Sequence, residues 1–289
     1  MAEDTIERTH YYHADASAIG GFITRPFTGT VPSHASSSLP LVGGVLEKEH
    51  RGRKWKNTVS YASASTTVSG KQQTTTSSGL ALEAPGPWIT EVTAAVNDLN
   101  IREVITAKRV VAQLSVVHPQ DGYTPKIYLT GSQIVDLRIS GIPITPIINY
   151  DLFEGFDAAP NGYPSKPWPE QESLQKHAER QYRQAGGGTE ETPAWVRHHF
   201  HWIETGKSGN TYCAPPCSIV EGFEGVPKNF PGKVFAHSIY VRDFGRIFFG
   251  ELLVEAGTYS LSMIRVKLGS PVGGAISAAT AQSNGKTFP

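Results

Sequence analysis

No charge of either sign is in excess: 26 Lys and Arg stand against 26 Asp and Glu, a formal net charge of +0. Without a surplus there is no field to gather nucleic acid or an anionic membrane surface, so neither is expected as a partner. The same neutrality weakens colloidal repulsion and favours a homo-oligomer or larger assembly. Cysteine is scarce, at 2 residues in 289, which excludes a disulfide scaffold. No stretch reaches the roughly 20 consecutive apolar residues of a membrane-spanning helix. The opening Met1-Ala-Glu-Asp-Thr-Ile-Glu-Arg8 has no apolar h-region and no small-residue cleavage site, so no secretory signal is read there. That leaves the cytoplasm, or export by a route this sequence does not display.

Reaction motifs are missing too. Gly206-Lys-Ser208 has the ending of a phosphate-binding loop, but the first glycine of that motif would fall at His201, so the backbone cradle is absent. There is no Gly-x-Ser-x-Gly elbow, and no helix opens from a Gly-rich dinucleotide fingerprint. Asp136, Glu154 and Asp157 are scattered carboxylates that sequence cannot pair, and solvated surface charge is their expected role.

What is present is the vocabulary of a β protein. Hydrophobic residues at 39% and charged residues at 18% describe an ordinary folded chain, and 29 Gly and 20 Pro fall mostly between β-like runs as turn punctuation. Gly245–Val254 and Tyr259–Leu268 are runs of strand length joined through Gly257, a hairpin signal because glycine takes the positive φ of a tight connection. The first run is apolar on both faces, which predicts cover on both sides. In the second, Ile264, Val266 and Leu268 oppose Arg265 and Lys267, while Leu261 and Met263 sit on the other parity, which predicts a β-bulge near Met263. Upstream, Val92, Ala94 and Val96 share one parity, and Val104–Val117 and Ser132–Ile139 continue as short strands with Gly turns. The fold class expected is mainly β, an antiparallel sandwich or barrel.

One helix interrupts it, over about 169–185: Pro169 suits a first helical position, Leu174, Ala178, Tyr182 and Ala185 form a narrow stripe, and Gly186-Gly-Gly188 ends the run. Being mostly polar, it is expected on the surface, with Glu172–Lys176 and Glu179–Arg183 as i,i+4 pairs. The organisation that follows is an N-terminal β half (1–153), a loop and helix insertion (154–232), and a C-terminal hairpin and tail (233–289) completing the same β domain.

The best chemical candidate is Trp195-Val-Arg-His-His-Phe-His-Trp202. In a strand, His199 and His201 project from one face at the i,i+2 spacing that lets two imidazoles share a transition metal, with His237 or Glu204 as third ligand. The competing reading is a stacked, hydrogen-bonded layer of aromatics and histidines. Cys213-Ala-Pro-Pro-Cys217 reads either as a thiol pair or, if the loop turns sharply, as a local disulfide. Tyr163, Trp168, Trp195 and Trp202 could form a stacking platform for a sugar or a partner, or cover the helix against the sheet. No cofactor beyond that metal is expected.

Four segments carry a resemblance: Tyr12-His-Ala-Asp-Ala-Ser-Ala-Ile-Gly-Gly21 with Ser38-Leu-Pro40; Asp98-Leu-Asn-Ile-Arg-Glu-Val-Ile-Thr-Ala-Lys-Arg-Val-Val-Ala112; Gly131-Ser-Gln-Ile-Val-Asp-Leu-Arg-Ile-Ser-Gly-Ile-Pro143; and Phe244-Gly-Arg-Ile-Phe-Phe-Gly250 onward to Leu268. The chain resembles a group of uncharacterised bacterial proteins and, more distantly, the choice-of-anchor P type of secreted β domain. The resemblance implies a bacterial, β-rich protein of the exported or surface kind and carries over no catalytic residue. The leading expectation is a non-enzymatic structural or interaction protein that self-assembles through strand edges, with Thr9–Phe27 and Ser270–Pro289 as pairing segments. The alternatives are a metal-binding protein or metal-dependent hydrolase using His199, His201 and His237, and a β domain that binds a small ligand or carbohydrate.

Overall fold

A computed structural model describes residues 8–76, 83–200, 217–255 and 257–289. The first half runs through β1 (Thr9–Tyr11), β2 (Ala14–Arg25), β3 (Gly29–Ser38), β4 (Gly44–Trp55), β5 (Val59–Thr76), β6 (Glu83–Ile101) and β7 (Ile105–His118). Short strands follow: β8 (Lys126–Tyr128), β9 (Gln133–Val135), β10 (Arg138–Ile139), β11 (Ile142–Pro143) and β12 (Thr145–Ile148). Helices α1 (Glu172–Gln184) and α2 (Ala194–His199) lead to β13 (Cys217–Ser218), β14 (Val220–Glu224), β15 (Gly232–Phe235) and β16 (Ser238–Val241). The chain ends in β17 (Gly245–Glu255), β18 (Thr258–Leu268), β19 (Gly273–Ser283) and β20 (Lys286–Phe288).

Sixteen of these strands make two antiparallel eight-stranded sheets packed face to face, a sandwich without barrel closure, and the rest form the two-stranded pairs β1 with β20 and β12 with β14. One has the order β11-β10-β7-β6-β5-β4, with β8 and β9 also on β7; the other has the order β15-β16-β17-β18-β19-β2-β3, with β13 on β17. The N-terminal strands β2 and β3 thus extend the C-terminal sheet, and β2 and β19 lie over β5, β6 and β7. Between the layers sit Val92, Val96, Val110, Leu114, Ile247, Phe249, Leu261 and Val266, each fully or almost fully buried. The hairpin at Gly257 forms as read, with φ +79° at that glycine and Glu255 opposite Thr258.

The segments expected to offer free edges are used within the chain. β2 lies between β19 and β3, and β1 pairs with β20 through Thr9 with Phe288, His10 with Thr287 and Tyr11 with Lys286. Among the described residues, the open ends of the ladders are instead β3 and β15 in one sheet and β4 and β11 in the other.

At Met263 the buried parity switches as the sequence indicated, from Leu261 and Met263 to Ile264 and Val266, but no residue is inserted. Phe249 opposes Ile264 and Glu251 opposes Ser262, so the register is unbroken and there is no bulge. The switch comes instead from a transverse crease. Gly250 and Ala279, the ladder neighbours of Met263, take left-handed backbone at φ +59° and +54°, and the row continues across Ala18 to Ala35 at φ +50°. The facing sheet has its own crease at Asp98 (φ +50°), where burial passes from Val92, Ala94 and Val96 to Leu99 and Ile101. Left-handed backbone is strained for a residue with a Cβ. Because Asp98 is exposed, Asp98→Gly loses no packing and should raise stability by about 0.5 kcal/mol, whereas Asp98→Val should lower it by about 1–2 kcal/mol. Equilibrium urea unfolding of the pair checks the opposite signs.

The helix is shorter than the 169–185 expected. Trp168–Glu170 forms a separate 3₁₀ turn, and Gln171, extended at φ −73° and ψ 123°, breaks it from α1. Both i,i+4 ion pairs form, Lys176 with Glu172 at 2.7 Å and Arg183 with Glu179 at 3.3 Å. One face of α1 is solvated, and the other buries Leu174 and Ala178 together with the polar His177 and Gln181.

Candidate functional site

The helical insertion lies over the outer face of β17. Phe248, Glu251 and Leu253 share that face because side chains alternate along a strand until the crease at Gly250 reverses them. Phe248 is 1% exposed, covered by Trp195 and His199 at ring-centroid distances of 6.0 and 5.1 Å. This is the cover on both sides that the apolar run of β17 predicted.

Three donors meet here. His199 is the last residue of α2, His237 sits in the tight connection between β15 and β16, and Glu251 stands on β17. Their ligating atoms all lie within 4.8 Å of one another, with His199 Nε2 3.7 Å from Glu251 Oε1. The connection at His237 is fixed by local bonds: Ser238 Oγ donates to the Phe235 carbonyl at 2.8 Å, and Phe249 N–H donates to the His237 carbonyl at 3.1 Å. Neither ring nitrogen of His237, nor Nε2 of His199, has a hydrogen-bond partner among the described residues.

Burial holds the His199 imidazole down to about 4, against the pull of Glu251 and with Arg265 and Lys267 adding to the depression. Complete burial, with His199, His177 and Arg265 nearby, holds His237 well below the usual histidine range. Both rings are therefore neutral at pH 7 and have lone pairs to give. Arg265, on the neighbouring strand β18, grips the Glu251 carboxylate through Nε and Nη2, and its guanidinium lies 4.4 Å from the centre of the Phe248 ring.

Of the residues singled out in the sequence, the fold brings His199 and His237 together. His201, Glu204, Trp202 and Cys213 lie outside the described residues. The strand reading of this stretch is corrected as far as His199: Ala194–His199 is helical, led in by Pro193 at φ −58°. Glu251 was missed, although one signal was present, a single acidic residue inside an otherwise apolar strand.

Cys217 on β13 is 1% exposed, and burial pushes its thiol up to about 12, so it behaves as a core residue. The three described aromatics of the supposed platform have separate surroundings. Trp168 is 1% exposed, packed on Phe153 and Phe156 with its Nε1–H donating to the Pro125 carbonyl at 2.8 Å. Tyr163 lies beneath the Lys126 ammonium at 4.9 Å, and Trp195 packs edge-on to Phe235 at 5.1 Å.

A second histidine pair went unremarked in the sequence. His10 and His118 sit 4.5 Å apart, His10 also stacks on Trp88 at 5.4 Å, and neither Nε2 has a partner among the described residues. His118 lines a cavity of about 310 Å³ whose walls include Tyr123, Trp168, Tyr259 and the last strand, β20.

The family profile of a domain of unknown function, DUF8256, matches residues 10–255, a span that contains His199, His237 and Glu251. No curated protein and no solved structure matches the chain. Nothing in these comparisons supports the choice-of-anchor P resemblance. With most of its length covered by that profile, the chain belongs to the DUF8256 family.

Proposed function

We propose that this protein binds a divalent transition metal through His199, His237 and Glu251. The observation that carries the reading is the pair of buried, unpartnered imidazoles facing one carboxylate, all within 4.8 Å. Donors sharing one tetrahedral ion lie about 3–3.5 Å apart at zinc–nitrogen and zinc–oxygen lengths, so the 3.7 Å between His199 and Glu251 needs only a small closure. Leaving His237 wholly buried with two unsatisfied nitrogens is costly, and an ion in this place removes part of that cost. Arg265 supplies the kind of outer partner that orients a ligating carboxylate, and its bonds leave Glu251 lone pairs for a cation. Imidazole and carboxylate donors suit zinc, and three protein ligands leave a position open, as in catalytic rather than structural zinc sites. Metal-assisted hydrolysis is the reaction class that such a site would serve.

Isothermal titration of the metal-stripped full-length protein with Zn²⁺ tests the reading. One equivalent should bind, His237→Phe should remove binding while the near-ultraviolet circular dichroism stays native, and Glu251→Gln should weaken it about 10- to 100-fold. Absence of binding, or unchanged binding by both variants, would overturn it.

A further inference from the structure

The open edge at β4 has an occupant written into its sequence. β4 ends its sheet, its one ladder neighbour among the described residues is β5, and all of its residues are exposed except the half-buried His50 and Trp55. A free edge of this length is a template for another strand, and proteins commonly defend such an edge with charge. Here the charges change sign at the middle: Glu47 and Glu49 precede His50, and Arg51, Arg53 and Lys54 follow it, with Lys48 the exception, which stands opposite buried Thr66 and so projects to the other face from Glu47 and Glu49.

We infer that β4 pairs antiparallel with β4 of a second copy of this chain, about a two-fold axis through His50, so that the two eight-stranded sheets become one continuous sheet. In that register Glu49 stands opposite Arg51 of the second copy, and Arg51 opposite its Glu49. Leu46 meets the Lys54 stem and Val45 meets Trp55. Glu49 and Arg51 project to the same face of their own sheet, being opposite Ser65 and Ser63 of β5, so both reciprocal pairs form on one side. Arg53 lies past Gly52 and is turned toward β3, with Nη1 3.2 Å from His34 Nε2, so Glu47 completes the cluster diagonally against Arg51 of the second copy. Neighbouring registers fail on charge. An axis through Glu49 places that carboxylate against itself, and an axis through Arg51 does the same with two guanidinium groups. The pairing is isologous and closed, with each surface meeting its own copy. It is independent of whether the histidine site takes a metal.

Sedimentation equilibrium of the full chain tests this. Wild type should be a dimer. Glu49→Arg alone and Arg51→Glu alone each set like charges opposite one another twice and should weaken dimerisation about tenfold or more. The double variant Glu49→Arg/Arg51→Glu restores both pairs in reversed polarity and should dimerise again. Mixing the two single variants should give a heterodimer, since one then offers two arginines to two glutamates of the other. Both substituted positions are exposed on the strand, and near-ultraviolet circular dichroism confirms that each variant is folded. A wild-type monomer, or a dimer indifferent to the single reversals, would overturn the inference; single variants that fail to combine with each other would overturn the register.

Discussion

Lowering the pH from 7 to 4.5 should cost this protein several kcal/mol of stability and bring it close to unfolding. The reason is its store of buried neutral histidines. Burial, with His10 beside it, holds His118 down to about 3, and burial alone holds His10 down to about 4. An unfolded chain takes up a proton near pH 6.5, whereas the folded one must refuse it until far lower. The stability that each ring contributes is therefore complete above pH 6.5 and drains away as the pH falls toward the folded value, at up to about 1.4 kcal/mol per pH unit for each group. His118, 4% exposed, alone accounts for about 2–3 kcal/mol by pH 4.5. His10 acts in the same direction, as do His177, His199 and His237, whose protonation burial also opposes. Set against a typical total of about 5–15 kcal/mol, such a loss is large. Urea unfolding at pH 7, 6, 5 and 4.5 measures it, and His118→Phe, which removes a ring whose Nε2 has no partner among the described residues, should flatten the curve. Stability that stays level down to pH 4.5 would contradict the account.

Gln181→Leu should lower stability by about 4 kcal/mol and the melting temperature by about 10 °C. Gln181 is fully buried, and its amide joins α1 to the strands beneath: Nε2–H donates to the carbonyls of Ser218 at 2.9 Å and Val220 at 3.1 Å, and Ser218 N–H donates to Oε1 at 2.8 Å. Leucine fills the volume and leaves the Ser218 N–H and the Val220 carbonyl without those partners, each at about 1–3 kcal/mol when buried. The Ser218 carbonyl also accepts from His177 Nε2–H at 2.7 Å, so it is not abandoned. Calorimetry of the variant checks the size of the effect. A change under about 1 kcal/mol would mean that α1 is held by its apolar stripe, Leu174 and Ala178, and not by this amide.

That residue also shows how far the sequence could be read. Alternation along Val92–Val96 and Ile264–Leu268 made the β class legible, because strand faces repeat every second residue. The helical stripe was found through Leu174, Ala178 and Tyr182, but a search for apolar periodicity passes over His177 and Gln181, whose burial depends on carbonyls supplied 37 to 41 residues away. The parity break at Met263 was visible, while its cause was not, since left-handed backbone at Gly250 and Ala279 belongs to neighbouring strands. Two of the three donors of the site were legible in the same sense. His199 and His237 drew notice by residue type, whereas Glu251 joins them only once β17 is laid beneath α2.

The pairing of β1 with β20 has a further bearing on the cavity beside His118. It consists of three residue pairs at the outer end of the long β2 and β19 ladder, the place where a ladder frays first and at least cost. Thr287 and Phe288 are at once part of that clasp and part of the cavity wall. The half-open cavity beside one of the most strongly depressed histidines is thus walled in part by a stretch of only three residue pairs, so fraying of that stretch would widen the path of water to the ring.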